Sequence, residues 1–384
     1  MLSLFCFMKK KPVIAILCKY PSWLHCSHIP VQKGHYEVWH VSMHDAFAND
    51  DEFEIHRIVL DKNVKKQIDF VDKGEHFHIL PRSRGWIGLF TGYAMDRIRV
   101  ARLLKQLKPD LVHAWGTEYC YGLCALDFHG KKLLSLQGHL TAYVKMSKMS
   151  KFEYFQSFYE PCIFRKMPLI TTESEWGREQ ILKMNPKAKV LLWDYAPETC
   201  FLSEARDISE QPNCVLSGYN TPRKNIGLAV KAFSRPELSH VKLYLAGTYE
   251  NDFENLPPNI IPLGAVERDD LVKLLKQTWA LVHPTLADTC PNAVKEARVM
   301  GIPAIVTHEC GAKQYVVHGK SGFVIDAYNE QELVDAVLST TKDASTSIFL
   351  GKYDQDRCRE ALSTKTMVDG IRHIYQGILS DSSV

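Results

Sequence analysis

His283-Pro-Thr-Leu-Ala-Asp288-Thr-Cys-Pro291-Asn292-Ala293-Val-Lys-Glu296-Ala-Arg-Val-Met-Gly301-Ile-Pro303-Ala-Ile-Val306 is the stretch that decides the fold. It reads as a strand ending at His283, a loop, a helix over 292–300 and a second strand over 304–306. Pro291 suits the first helical turn, where its missing N–H costs little. Gly301 suits the position just past a helix, and Pro303 lets a strand begin. The loop holds a carboxylate, Asp288, and a second, Glu296, sits eight positions later on a helix face shared with Ala293, Ala297 and Met300. The helix start at Asn292 and Ala293 offers backbone N–H groups to an anion.

Working outward, short β-branched runs alternate with helical patterns throughout the chain. The second half predicts strands over 213–217, 241–246, 259–263, 280–283, 304–306 and 322–325, with helices over 225–233, 269–277, 292–300 and 330–339. The first half predicts strands over 13–18, 37–41, 54–60, 77–80, 110–113, 133–136, 169–172 and 190–193. Helices fall between them, among them 97–107 and 174–184, the latter opened by a capping box, Thr172-x-x-Glu175. Strands alternating with helices imply parallel sheets covered on both faces. The polar stretch 196–212 separates the halves. The expected division is an N-terminal Rossmann-like acceptor domain over 1–195 and a C-terminal Rossmann-like donor domain over 196–350. A last segment, 351–384, whose helical pattern runs 355–379, is expected to pack back on the first domain. The fold class is α/β, with two Rossmann-like domains facing a central cleft. Open parallel sheets bind ligands at the carboxyl ends of their strands, so the cleft is the expected site.

The 384 residues are 46% hydrophobic and 24% charged, which excludes disorder, collagen and coiled coil. Lys and Arg number 47 against 44 Asp and Glu, a net charge of +3, too small for the basic field of a general nucleic-acid binder. No apolar run approaches the ~18 residues that a membrane span needs. The eleven cysteines are scattered and lack a C-x-x-C, which suggests neither zinc nor a disulfide framework and fits a reduced compartment. The apolar start 1–8 precedes its charges, the wrong order for a secretory signal, and Met8 is a second candidate start. A cytoplasmic protein is expected.

The segment around Asp288 and Glu296 resembles the signature of the retaining glycosyltransferases of family 4, the glycosyl transferases group 1, which have the two-Rossmann GT-B fold. That signature is an acidic residue, seven others, Glu, and then a Gly-x-Pro strand entry. The resemblance implies that Glu296 binds the nucleotide ribose and that Asp288, shorter than the usual Glu, contacts the donor sugar. A second piece is Ser217-Gly218-Tyr-Asn-Thr-Pro-Arg223-Lys224-Asn225, a glycine turn and a helix start with basic residues between them, which can hold a pyrophosphate. Lys224 matches the family Lys. Tyr219 stands where the family has Arg, and Arg223 is the candidate replacement. Gly311 and the pair Gly319 and Gly322 resemble the family's glycine loop and strand entry, with turn-making as the alternative. In the first half, His139 follows a strand where sugar contacts arise in the family, and Glu118 follows another as a candidate acceptor contact. Tyr20-Pro-Ser-Trp-Leu occupies the place of the family's first glycine loop, so no phosphate contact carries over there.

The resemblance therefore implies transfer of a sugar, with retention, from a UDP- or GDP-linked donor to a hydroxyl of a glycan or lipid-linked acceptor in surface polysaccharide assembly. It implies no cofactor and no metal. Basic and aromatic residues mix in two stretches, from Arg82 to Arg102 and from Lys145 to Lys166. They suit peripheral contact with an anionic membrane at its inner face, or a solvated helix face. Two alternatives stay open: a non-catalytic scaffold of the same fold that partners another transferase, and a nucleotide-sugar epimerase.

Overall fold

The computed structural model describes residues 10–19, 38–202, 206–249 and 253–380. Tyr20-Pro-Ser-Trp-Leu and both candidate starts lie outside the described residues. The first sheet contains β1 (Val13–Cys18), β2 (Glu54–Asp61), β3 (Ile68–Asp72), β4 (Glu75–Pro81), β5 (Leu111–Trp115), β6 (Lys131–Leu136), β7 (Ile170–Thr172) and β8 (Val190–Leu192). Its order is β3-β4-β2-β1-β5-β6-β7-β8. The second contains β9 (Asn213–Ser217), β10 (Lys242–Ala246), β11 (Ile260–Gly264), β12 (Ala280–His283), β13 (Ala304–Thr307) and β14 (Gly322–Ile325), in the order β11-β10-β9-β12-β13-β14. Its strand pairs are parallel. This is the doubly wound order, which reverses between β9 and β12.

Alternation along the strands of the second sheet explains its two covered faces. Cys214, Leu216, Ala280, Val282 and Ile305 pack on one side with Ile226, Phe233, Leu333 and Val337. Val215, Leu281, Ala304 and Val306 pack on the other with Leu271, Leu275, Val294 and Ala297. Strands buried on both faces need apolar residues on both, as Cys214–Leu216, Ala280–Val282 and Ala304–Val306 provide.

The expected strand 37–41 is not formed: a helix runs Val38–Ala46. His40, Met43, His44 and Phe47 are all buried, at i, i+3, i+4 and i+7, so the histidines complete a helical stripe that a hydropathy pattern misses. A strand that was not expected, β3, runs antiparallel to β4 through the two-residue turn Lys73-Gly74, both at positive φ. The pattern 355–379 is two helices, Gln355–Ala361 and Thr364–Ser380. The helix Glu175–Met184 is capped by Ser174, whose oxygen accepts the Gly177 N–H, and not by Thr172.

The chain forms two compact units. Among the described residues, one comprises 10–19, 38–135, 166–170 and 371–380, the other 136–165, 171–202, 206–249 and 253–370. The division does not fall in the polar stretch 196–212. Segments on either side of it are tied together inside the second unit: Tyr143 bonds Thr289, Ser174 bonds the Thr289 carbonyl, and Lys295 bonds Glu173 and Asp194. Inside the first unit, the chain from Ile371 onward is held by Tyr375, whose hydroxyl lies 2.7 Å from His113, and by Arg372 on Asp50. A guanidinium without a carboxylate partner anchors the helix Asn292–Val299 from behind. Arg298 is fully buried and donates to the carbonyls of Ile302, Tyr315, Gly351 and Tyr353.

Candidate active site

At the crevice between β9 and β12, where the strand order reverses, Arg223, Lys224 and Asp288 come together. The chain leaves β9 at Ser217 and turns at Gly218, where φ is +153°. A Cβ on the neighbouring Gly247 would come 2.9 Å from the Gly218 carbonyl oxygen, so the turn packs backbone on backbone. A 3-10 turn, Pro222–Lys224, then leads into the helix Ile226–Phe233. The loop after β12 is stitched to this turn. The Arg223 carbonyl accepts from the Leu286 N–H and the Thr285 hydroxyl, and Asn225 donates to the Pro284 carbonyl.

Stitching puts two cations on one carboxylate. Lys224 Nζ lies 2.6 Å and Arg223 Nη1 2.9 Å from the same oxygen of Asp288, with His283 Nε2 at 3.3 Å. Burial pushes the Asp288 carboxyl up, but Lys224 and Arg223 outweigh it and hold the group well below the usual carboxylate range. Burial pulls Lys224 down, with Arg223 adding to it, against the pull of Asp288. Burial and the neighbouring Lys224 bring His283 to about 4, so its ring is neutral near pH 7. Arg223 also lies over the Tyr143 ring, 4.6 Å from its centre. The Tyr143 hydroxyl is 2.9 Å from Thr289 Oγ1, beside Asp288.

Glu296 is buried one helical turn into Asn292–Val299, 3.2 Å from Arg268 Nη1, whose Nη2 binds Glu198 at 2.9 Å. Burial holds its carboxyl above the ordinary value, although Arg268 opposes this. No side chain caps this helix, whose N-cap is Pro291, so the N–H groups around Asn292 and Ala293 lack a side-chain acceptor there. Gly311 is a packing glycine: a Cβ there would run into the Thr289 carbonyl oxygen and Ser174 Oγ.

The structure therefore brings Asp288, Lys224, Arg223 and Gly218 into one crevice, with Glu296 on the helix that follows it. His139 is buried at the start of the helix Leu140–Met146. Its ring nitrogens have no hydrogen-bond partner, and Nδ1 lies 3.4 Å from the Glu160 carboxylate, which itself accepts the N–H groups of Leu140 and Thr141. Tyr143, one turn further along, links that helix to Thr289. Glu118 lies in the other compact unit, after β5. Sequence reading missed His283, Tyr143 and Arg268. His283 ends a buried strand five residues before Asp288, which is a usable signal. Arg268 and Tyr143 reach the site from distant segments and carry none.

Residues 203–357 match the family model for glycosyl transferases group 1. The matched residues contain β9 through β14 together with Arg223, Lys224, Asp288 and Glu296. The chain is 29% identical over 150 residues to a poly(glycerol-phosphate) alpha-glucosyltransferase of Bacillus subtilis, covering 36% of this chain and 22% of that protein. It is 22% identical over 152 residues to the capsular polysaccharide biosynthesis glycosyltransferase CapM of Staphylococcus aureus, covering 37% of this chain and 40% of that one. The matches span less than half of either relative. Among solved structures, sucrose-phosphate synthase of Thermosynechococcus elongatus superposes with a TM-score of 0.77 at 12% identity, covering 96% of this chain and all of that one. HepE of Anabaena, in complex with UDP and glucose, gives 0.70 at 13% identity, covering 95% and 100%. The fold is thus GT-B.

Proposed function

We propose that the chain transfers a sugar, with retention at the anomeric carbon and without a metal, from a UDP- or GDP-linked donor to a hydroxyl of a glycan or lipid-linked acceptor. Surface polysaccharide assembly is the proposed setting. One observation carries the reading: two cations share a single carboxylate at the switch point of a doubly wound sheet. That leaves one positive charge in excess where a diphosphate would lie. The UDP and glucose bound to HepE and the transferase relatives support it.

In this mechanism the bond between the anomeric carbon and the diphosphate oxygen breaks while the acceptor oxygen attacks from the same face. The acceptor proton passes to the departing diphosphate, giving a glycoside and a nucleoside diphosphate. Lys224 and Arg223 stabilise the charge that grows on the leaving group, assisted by the N–H groups around Asn292 and Ala293. Glu296 accepts from the ribose hydroxyls. Asp288 accepts from a donor hydroxyl once phosphate oxygens relieve it of its cations. His139, whose nitrogens make no hydrogen bond, bonds a further sugar hydroxyl. Glu118 contributes to acceptor binding.

The second unit exposes Tyr154, Phe155 and Phe158 beside Lys148 and Lys151, and the first unit exposes Trp86, Ile87 and Phe90 beside Arg84. These surfaces support peripheral contact with an anionic membrane, tested by co-sedimentation with anionic against neutral vesicles. No helix among the described residues is long and apolar enough to cross a membrane.

Calorimetry with UDP, GDP and ADP tests the donor site. One nucleotide should bind, and Glu296→Ala should weaken it roughly tenfold to a hundredfold, the worth of hydrogen bonds to a charged group. A folded protein that binds no nucleotide would overturn the reading in favour of a non-catalytic scaffold, consistent with Tyr219 in the family Arg position.

A further inference from the structure

A second cluster of titratable groups stands in the first unit, at the amino ends of β2 and β4. These strands pair with His56 opposite His76 and Ile58 opposite His78, and β3 pairs with Asp69 opposite His78. Residues two apart share a face, so Glu54, His56, His76, His78 and Asp69 all stand on one side of the sheet.

Four of them form a chain. Asp69 Oδ1 lies 2.6 Å from His78 Nδ1, His78 Nε2 lies 2.9 Å from His56 Nδ1, and His56 Nε2 lies 2.9 Å from Glu54 Oε1. Three such links need three protons. The carboxylates only accept, and two neutral imidazoles bring one N–H each. One link is short of a proton, so either the chain takes up an additional proton or a metal ion replaces the His56–Glu54 link.

Three observations favour the metal. Glu54, His56 and His76 place one oxygen and two nitrogens within 4.8 Å of one another, a set that an added proton does not need. Behind His56, His78 and Asp69 supply the outer hydrogen bonds that fix the tautomer and direction of a metal-binding imidazole. Glu54 and His76 also line a cleft of about 510 Å³, which gives an ion a way in and room for a fourth ligand. Two imidazoles and a carboxylate suit zinc and its neighbours. Magnesium and calcium call for oxygen ligands.

We propose that Glu54, His56 and His76 bind a divalent transition-metal ion of the zinc class, with a position open to the cleft, and that His78 and Asp69 position His56. Glu54 begins β2 and His76 is the second residue of β4, whereas ligands of parallel sheets bind at the carboxyl ends. The ion would therefore clamp the β4-β2 edge and take no part in sugar transfer.

The test uses the untagged full chain, freed of metal with a chelator and titrated with Co²⁺. A visible absorption band that saturates at one equivalent and is displaced by Zn²⁺ is expected. His76→Ala should abolish it, and His78→Ala should weaken binding tenfold to a hundredfold, as expected for an outer-shell partner. Circular dichroism checks that both variants fold. A wild-type titration with no saturable band overturns the proposal by itself and leaves the additional proton as the occupant. Equal binding by folded His76→Ala overturns it too.

Discussion

Lys224 and Lys295 are both lysines of the second unit bound to carboxylates, and their charge surroundings are opposite. Lys224 shares Asp288 with Arg223, so two cations face one anion. Lys295 lies 2.8 Å from Glu173 and 2.9 Å from Asp194, and it also donates to the Tyr195 carbonyl, so one cation faces two carboxyl groups. Burial pulls both ammonium groups down. At Lys295 the two carboxylates overcome it and raise the group, whereas at Lys224 the single shared one does not. Burial, reinforced by Asp194 and opposed by Lys295, raises Glu173 well above its ordinary value. Lys224 keeps 17% of its side chain exposed and Lys295 none. Spare positive charge at an open crevice can receive an anion. A lysine enclosed by acceptors joins segments 173, 194 and 295 and has no capacity left. Glu173, Asp194 and Cys290 would otherwise make a metal set, but the ammonium already sits on both carboxylates.

Removing the enclosed lysine should have the largest effect. Lys295→Met leaves the buried Glu173 carboxyl without its ammonium and takes one of several partners from Asp194, and is expected to cost roughly 3–5 kcal/mol in urea unfolding, as broken buried pairs do. A loss below ~1 kcal/mol would mean that Lys295 is no brace. Lys224→Ala should leave unfolding nearly unchanged and lower kcat about a hundredfold to a thousandfold, about 2.7–4 kcal/mol in barrier. The reverse pattern, with stability lost and turnover kept, would erase the distinction between the two lysines. The smallest effect concerns pH. His283 titrates near 4 when folded, against an ordinary value of 6.5. Below pH 6.5 the unfolded chain takes up a proton that the folded chain refuses, so stability falls as pH drops towards 4, by up to about 3 kcal/mol. His283→Gln should flatten this part of the stability curve relative to wild type. The remaining slope would include His113, which burial brings to about 3. Parallel curves for the two proteins would show that His283 is not buried neutral.

Much of this was legible in the residues, unevenly. The strands β9, β12 and β14 fall where the apolar runs placed them, because parallel strands covered on both faces need apolar residues on both. Asp288, Lys224 and Arg223 stood out because they follow strand ends in a sequence rich in turn residues. The first half was harder to read. The helix Val38–Ala46 buries two histidines in its stripe, and β3 is a half-buried edge strand with alternating exposure. Its turn, Lys73-Gly74, was a readable hairpin signal. The pairing of Glu296 with Arg268 spans 28 positions and follows from the packing of two helices, which no local pattern encodes.

Arg298 has a consequence for how the sequence can drift. Its four partners are carbonyls, which every amino acid carries, so the network is indifferent to the side chains at 302, 315, 351 and 353. The guanidinium has no such latitude, since a lysine cannot reach four acceptors in a fork. Tolerance to change is therefore one-sided: the surrounding loops can diversify around a fixed peg, and the helix that carries Glu296 keeps its rotation while they do.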